Sequence, residues 1–138
     1  QCTAEAQSVL DRTEVFILFE TLEYLKRGGR IGNASALLGG VLQLKPILTL
    51  EDGEIATKLK IRTFRKGLIS VKQLTEECGD LSEAAILYTT DPTEANKLAN
   101  SIGNKFVENS APQIIRISPA VGTHAGPGLV GVICVKAS

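Results

Sequence analysis

The sequence predicts an α/β layered domain in which a mixed β-sheet is packed by helices. Three observations carry this. Short apolar runs of strand length alternate with helix-spaced apolar patterns through the second half of the chain. A turn of the Asp-Gly type, Glu51-Asp52-Gly53-Glu54, separates two runs that pair as a hairpin. Asp91-Pro92-Thr93-Glu94 supplies a side-chain cap, a proline and an early carboxylate in the order that starts a helix. A hairpin is antiparallel, whereas strands joined through helices can run parallel, so the sheet is expected to be mixed.

In chain order, residues 3–11 read as a short helix and residues 15–19, Val-Phe-Ile-Leu-Phe, as a strand. Thr21 is placed to cap a second helix carrying Leu22, Tyr24 and Leu25. That helix gains Lys26 and Arg27 in its last turn and stops at Gly28-Gly29, where a left-handed residue closes it. Residues 33–38 form another short helix in this reading, and residues 41–50 a mostly apolar strand in which Pro46 argues for an edge or a bulge. Residues 47–50 and 55–59 are the arms of the hairpin. Leu68, Val71, Leu74 and Cys78 recur at helical spacing until Gly79-Asp80 breaks the pattern, and residues 84–88 follow as a strand. The helix after Asp91 buries Ala95, Leu98, Ala99, Ile102 and Phe106. Residues 114–117 are a strand, 122–128 a glycine-rich loop and 129–135 a final strand.

The bulk properties narrow the function. With 138 residues and 43% apolar side chains the chain fits one core rather than two. It starts at Gln1, contains no Met and opens on Cys2-Thr3-Ala4-Glu5 without the regions of a signal peptide, so it reads as a piece of a longer chain. Fifteen basic and fifteen acidic residues cancel, with no block of like charge, which sets nucleic acid aside. The purely apolar runs are far shorter than the roughly 20 residues of a membrane span, so a soluble protein without a transmembrane segment is expected. Cys2, Cys78 and Cys134 form no CxxC pair. They fit a reducing cytoplasm, with Cys78 and Cys134 as small buried apolar side chains. Asn33-Ala34-Ser35 has the form of a glycosylation acceptor but lacks the secretory context that would give it meaning.

Few residues are candidates for chemistry. His124, the only histidine, stands in Gly122-Thr123-His124-Ala125-Gly126-Pro127-Gly128, where glycines admit unusual backbone angles and clear space for a ligand. It is either a ligand-binding side chain or a structural one. Gly126 to Gly131 also spells GxGxxG, but a strand rather than a helix follows, and no acidic residue comes about twenty positions later, so the match is accidental. Arg30, past the Gly28-Gly29 stop, either caps its own helix or offers its planar fork to a carboxylate. Arg62, Arg65 and Lys66 form a basic cluster that is either a solvated face or a docking patch. No second histidine, paired carboxylate motif or P-loop is present, and neither a cofactor nor a metal is implied.

Several of these motifs together resemble one family. Thr21-Leu22-Glu23-Tyr24-Leu25-Lys26-Arg27-Gly28-Gly29-Arg30-Ile31, then Leu44-Lys45-Pro46-Ile47-Leu48, Gly53, Arg62 and the loop of residues 122–128 follow in the order seen in DegV proteins. The resemblance implies a fold like the C-terminal lobe of that two-domain family, with residues 1–138 as a single domain and the N-terminal lobe absent. It implies a bacterial, cytoplasmic carrier of long-chain fatty acid rather than an enzyme. Such a carrier presents its ligand to an ATP-using fatty acid kinase subunit for acyl-phosphate formation, a step of phospholipid metabolism. Carried over by motif, His124 hydrogen-bonds the fatty-acid carboxylate, Arg30 supports the head group and Arg62 meets the kinase. Two other readings stand beside it: an enzyme using His124 as general base or nucleophile, and a regulatory domain that only docks a partner.

Overall fold

The structure is a computed structural model of the chain and describes residues 2–29, 31–32, 45–51, 54–102, 112–117 and 126–137. Its elements run α1 (Cys2–Asp11), β1 (Thr13–Leu18), α2 (Glu23–Arg27), β2 (Lys45–Glu51), β3 (Glu54–Ile61), α3 (Phe64–Glu77), β4 (Leu81–Tyr88), α4 (Thr93–Ile102), β5 (Gln113–Arg116) and β6 (Val130–Lys136). The strands form one six-stranded sheet in the order β3-β2-β1-β6-β4-β5. The β4–β5 pair, joined through α4, is parallel and the other pairings are antiparallel. This is the expected mixed sheet, with β2 and β3 as the expected hairpin.

The strands alternate two apolar sets. Phe16 and Leu18 of β1, Ile86 of β4 and Val132 and Cys134 of β6 point to one face, where α3 and α4 cover them with Val71, Ala95, Leu98 and Ile102. α3 comes unusually close. A Cβ on Gly67 would lie 2.4 Å from Leu18 Cδ1, so only glycine lets this helix settle on β1. Thr63 caps α3 in an extended conformation, its Oγ1 accepting the Lys66 N–H at 3.2 Å.

Local readings needed adjustment at three places. The N-cap of α2 is Leu22 rather than Thr21, whose hydroxyl instead accepts the Glu23 N–H at 3.2 Å in a local turn. The helix does stop at the glycines, with Gly29 at φ +70°. Asp91 Oδ1 accepts both the N–H and the hydroxyl of Thr93, at 2.9 and 2.6 Å, so the cap works although α4 begins at Thr93. Of the two readings of Pro46, the bulge rather than the edge is present: β2 lies between β3 and β1, and its pairing with β3 shifts register between Ile47 and Leu48, just past the proline. The expected helix at residues 33–38, the strand start at 41–44, the turn residues Asp52 and Gly53, and Phe106 lie outside the described residues.

Candidate functional site

The second apolar set faces away from α3 and α4. Strand register lines it up in two rows. Leu48, Ile17, Gly131, Leu87 and Ile115 follow one another across five strands, and Val15, Ile133, Ala85 and Gln113 form the next row. Among the described residues this face is closed only at one end, where α2 brings Leu22 and Leu25 over Phe19, Leu48 and Leu129. Elsewhere Val15, Ile17, Ala85, Leu87 and Ile133 are half-buried, and Ile115 is 42% exposed. Two hollows lie along it. One, of about 140 Å³, is lined by Val15, Ile17, Phe19, Leu48, Thr49, Leu50 and Ile55. The other, of about 420 Å³, is lined by Ala85, Ile133 and Val135 but also by the polar Ser82, Glu83 and Gln113.

Gly131 sits at the middle of the first row. A Cβ there would approach Ile17 Cγ1 at 3.0 Å and the Phe16 carbonyl at 3.1 Å, so the glycine keeps the floor low. Sequence reasoning met Gly131 only as the end of an accidental motif. The signal that marks it, a glycine inside an apolar strand, is the general sign of a close approach.

The α2 end of the sheet gathers described residues that neighbour the candidate polar residues in sequence. β1 ends there, while β2 and β6 begin there. Gly126, at φ +88°, leaves no room for a side chain: a Cβ would be 2.6 Å from Tyr24 Cδ1. The Gly128 N–H donates to Thr90 Oγ1 at 3.0 Å and the Leu129 N–H to Thr89 Oγ1 at 3.1 Å, pinning the exit of the glycine-rich loop to the end of β4. Ile31 packs into the α2 cluster. His124 and Arg30 themselves lie outside the described residues, but their sequence neighbours Gly126, Gly29 and Ile31 all belong to this end.

A half-buried ion pair completes that end. Lys45 Nζ lies 2.7 Å from Glu20 Oε1 and donates to the Glu20 carbonyl at 2.9 Å, with the lysine side chain only 19% exposed. The sequence reading quoted Lys45 within a motif and gave it no role. No local pattern links residues 25 apart, so the pair was invisible there.

On the α3/α4 side of the same end, a cavity of about 320 Å³ is lined by Phe64, Leu129 and Val130 but also by Glu20, Asp91 and Glu94. Two hydrogen bonds from Thr93, the hydroxyl's first, hold the Asp91 carboxyl below the usual carboxylate range. Carboxylates around a cavity repel an anion, so this cavity is ill suited to an anionic group.

Arg62 is exposed, just past the end of β3, and β3 ends beside Lys45. The structure therefore brings Arg62 to the same end of the sheet, at its outer edge. The described residues contain no cluster of metal-ligating side chains, and none of their helices is long and apolar enough to cross a membrane.

Fold and site define a mixed-sheet α/β domain with one face packed by helices and the other an apolar floor. The chain belongs to the DegV family: the model described as "Uncharacterised protein, DegV family" matches residues 1–137. A DegV domain-containing protein of Clostridium acetobutylicum is 37% identical over 130 residues, covering 92% of this chain and 45% of its own length. A fatty-acid-binding DegV family protein of Thermus thermophilus superimposes with a TM-score of 0.86 at 29% identity, covering 98% of this chain and 49% of its own. DegV of Bacillus subtilis, described as a fatty acid binding protein, does so at 0.81 and 28% identity, covering 96% of this chain and 48% of its own. The chain thus spans about half the length of the relatives it matches.

Proposed function

We propose that this chain is the C-terminal lobe of a two-lobe carrier, and that the open face of its sheet is one wall of a groove for the tail of a long-chain fatty acid. The observation that carries the reading is the double row of mostly apolar side chains around Gly131, a floor with an apolar hollow by Phe19 and Leu48 and, among the described residues, no helix over most of it. The related proteins described as fatty-acid binding support the choice of ligand, and the half-length match supports a second lobe as the other wall.

The magnitudes fit a carrier. Burying about fifteen methylenes at roughly 0.8 kcal/mol each supplies on the order of 12 kcal/mol before ordering costs. One hydrogen bond to a charged group contributes about 1.5–3 kcal/mol. The tail therefore supplies affinity and the head group orientation. In this reading the carboxylate lies at the α2 end, where His124 donates a hydrogen bond to it and Arg30 adds positive potential. Arg62, at the rim of that end, meets the ATP-using kinase subunit that converts the bound acid to acyl phosphate in the bacterial cytoplasm. The carrier itself contributes no catalytic group.

The test is His124→Ala in the two-lobe protein, titrated with palmitate by calorimetry. Affinity is expected to fall roughly 10- to 150-fold, the loss of one charged hydrogen bond, with the fold intact. An affinity within about twofold of the parent removes His124 from the head-group site.

A further inference from the structure

The apolar floor of the open face has an end. Beyond its second row the next paired residues are Thr13, Val135 and Glu83, so two of the three positions turn polar. The Thr13 hydroxyl donates to the Val9 carbonyl in the last turn of α1. Glu83 is exposed, and among the described residues it has no ion-pair partner. The strand itself changes at the same place. The β4–β6 pairing shifts register between Leu81 and Glu83, and Leu81 joins Ala84 and Ile86 in the helix-covered core. Regular alternation along β4, and with it the open floor, therefore stops at Glu83.

The larger hollow straddles this border. Ala85 and Ile133 belong to the second row, Glu83 and Val135 to the third, and Ser82 and Gln113 complete its lining. Ser82 is fixed there by its hydroxyl, which donates to the Val135 carbonyl at 3.3 Å. The smaller hollow, beside Phe19 and Leu48, is lined by apolar side chains except for Thr49. The floor thus runs from an apolar hollow near the α2 end, over Gly131, to a hollow bordered by an unpaired carboxylate.

We infer that Glu83 closes the far end of the groove and sets the length of the acyl chain it accepts, at about sixteen carbons; the inference rests on the groove reading given above. From Phe19 back to Thr13 the chain takes six steps, which at roughly 3.3 Å per residue span about 20 Å. A saturated chain with bonds of about 1.52 Å and angles of about 111° advances roughly 2.5 Å per two carbons, so about sixteen carbons fill that floor. Each methylene laid on it raises affinity about fourfold, the equivalent of about 0.8 kcal/mol. A methylene pushed past the second row gains none of this, because it meets a charge that is costly to take out of water.

The test is native mass spectrometry of the delipidated two-lobe protein equilibrated with an equimolar mixture of laurate, palmitate and arachidate. The parent is expected to hold palmitate over laurate by at least about tenfold and to gain nothing from arachidate. Glu83→Leu, at an exposed position, is expected to raise the ratio of arachidate to palmitate at least about tenfold. The same ratio in parent and variant overturns the inference, as does a parent that prefers arachidate by the full increment of four methylenes. Ala85→Asp and Val15→Asp, each placing a charge on the second row, separate the inference from the reading beneath it. If both variants retain all three acids as the parent does, the groove reading fails and the inference with it. If they lose all three while Glu83→Leu keeps the parental ratio, only the length limit fails.

Discussion

Cys134 shows at the scale of one residue how burial sets chemistry. It lies on β6 with no exposed surface, beneath the core face, and Cys78 packs against the same cluster from the end of α3. Desolvation raises the thiol of Cys78 and pushes that of Cys134 up to about 12. A thiol that stays protonated is a poor nucleophile, so both cysteines are structural, as their isolated positions in the sequence suggest. The sign of the pH effect follows. The folded-state pKa is raised, so the stability contributed by Cys134 is complete below the ordinary thiol range and is lost as pH rises from there toward about 12. We expect denaturant midpoints to fall across that window, and less steeply in Cys134→Ala. Identical pH dependence in parent and variant would contradict the assignment. Other single residues were harder to read. Glu20 and Lys45 meet only because β1 and β2 are neighbours, and Gly131 matters for what stands beside it in space.

At the scale of elements, most of what the sequence predicts is local chemistry, and most of it is present. The hairpin, the glycine stop of α2 and the carboxylate cap of α4 all depend on residues a few positions apart. α3 is legible through Leu68, Val71 and Leu74, but its start at Phe64 and the Thr63 cap are not, because the helix-spaced apolar pattern begins only past Gly67. Gly67 is instead the contact point of α3 with β1. Gly67→Ala pits two effects against each other: alanine gains up to about 1 kcal/mol of helix propensity, while overpacking a full core costs about 1–3 kcal/mol. With Leu18 fully buried and both of its methyl carbons within 2.8 Å of the new Cβ, overpacking wins. The expected outcome is a net loss of about 1–2 kcal/mol in urea unfolding. A midpoint at or above that of the parent would mean that α3 stands farther from the sheet.

Strand order belongs to the whole molecule and is not written in any local pattern. β6, the last strand in the chain, is inserted between β1 and β4, so that the middle of the sheet joins residues more than a hundred positions apart. One feature of the sequence did carry global information. Val15 to Leu18 is apolar at every position, which is the mark of a strand expecting cover on both faces. α3 and α4 cover one face; over most of the other the described residues provide none. The account assigns that second face to a fatty-acid tail and a facing lobe, and this can be measured directly. The two-lobe protein loaded with a diazirine-tagged palmitate analogue is irradiated, and the adducts are mapped by mass spectrometry. The account expects them on Val15, Ile17, Leu87 and Ile133, along the two rows. Adducts confined to the outer surfaces of α3 and α4, with those rows unlabelled, would contradict it.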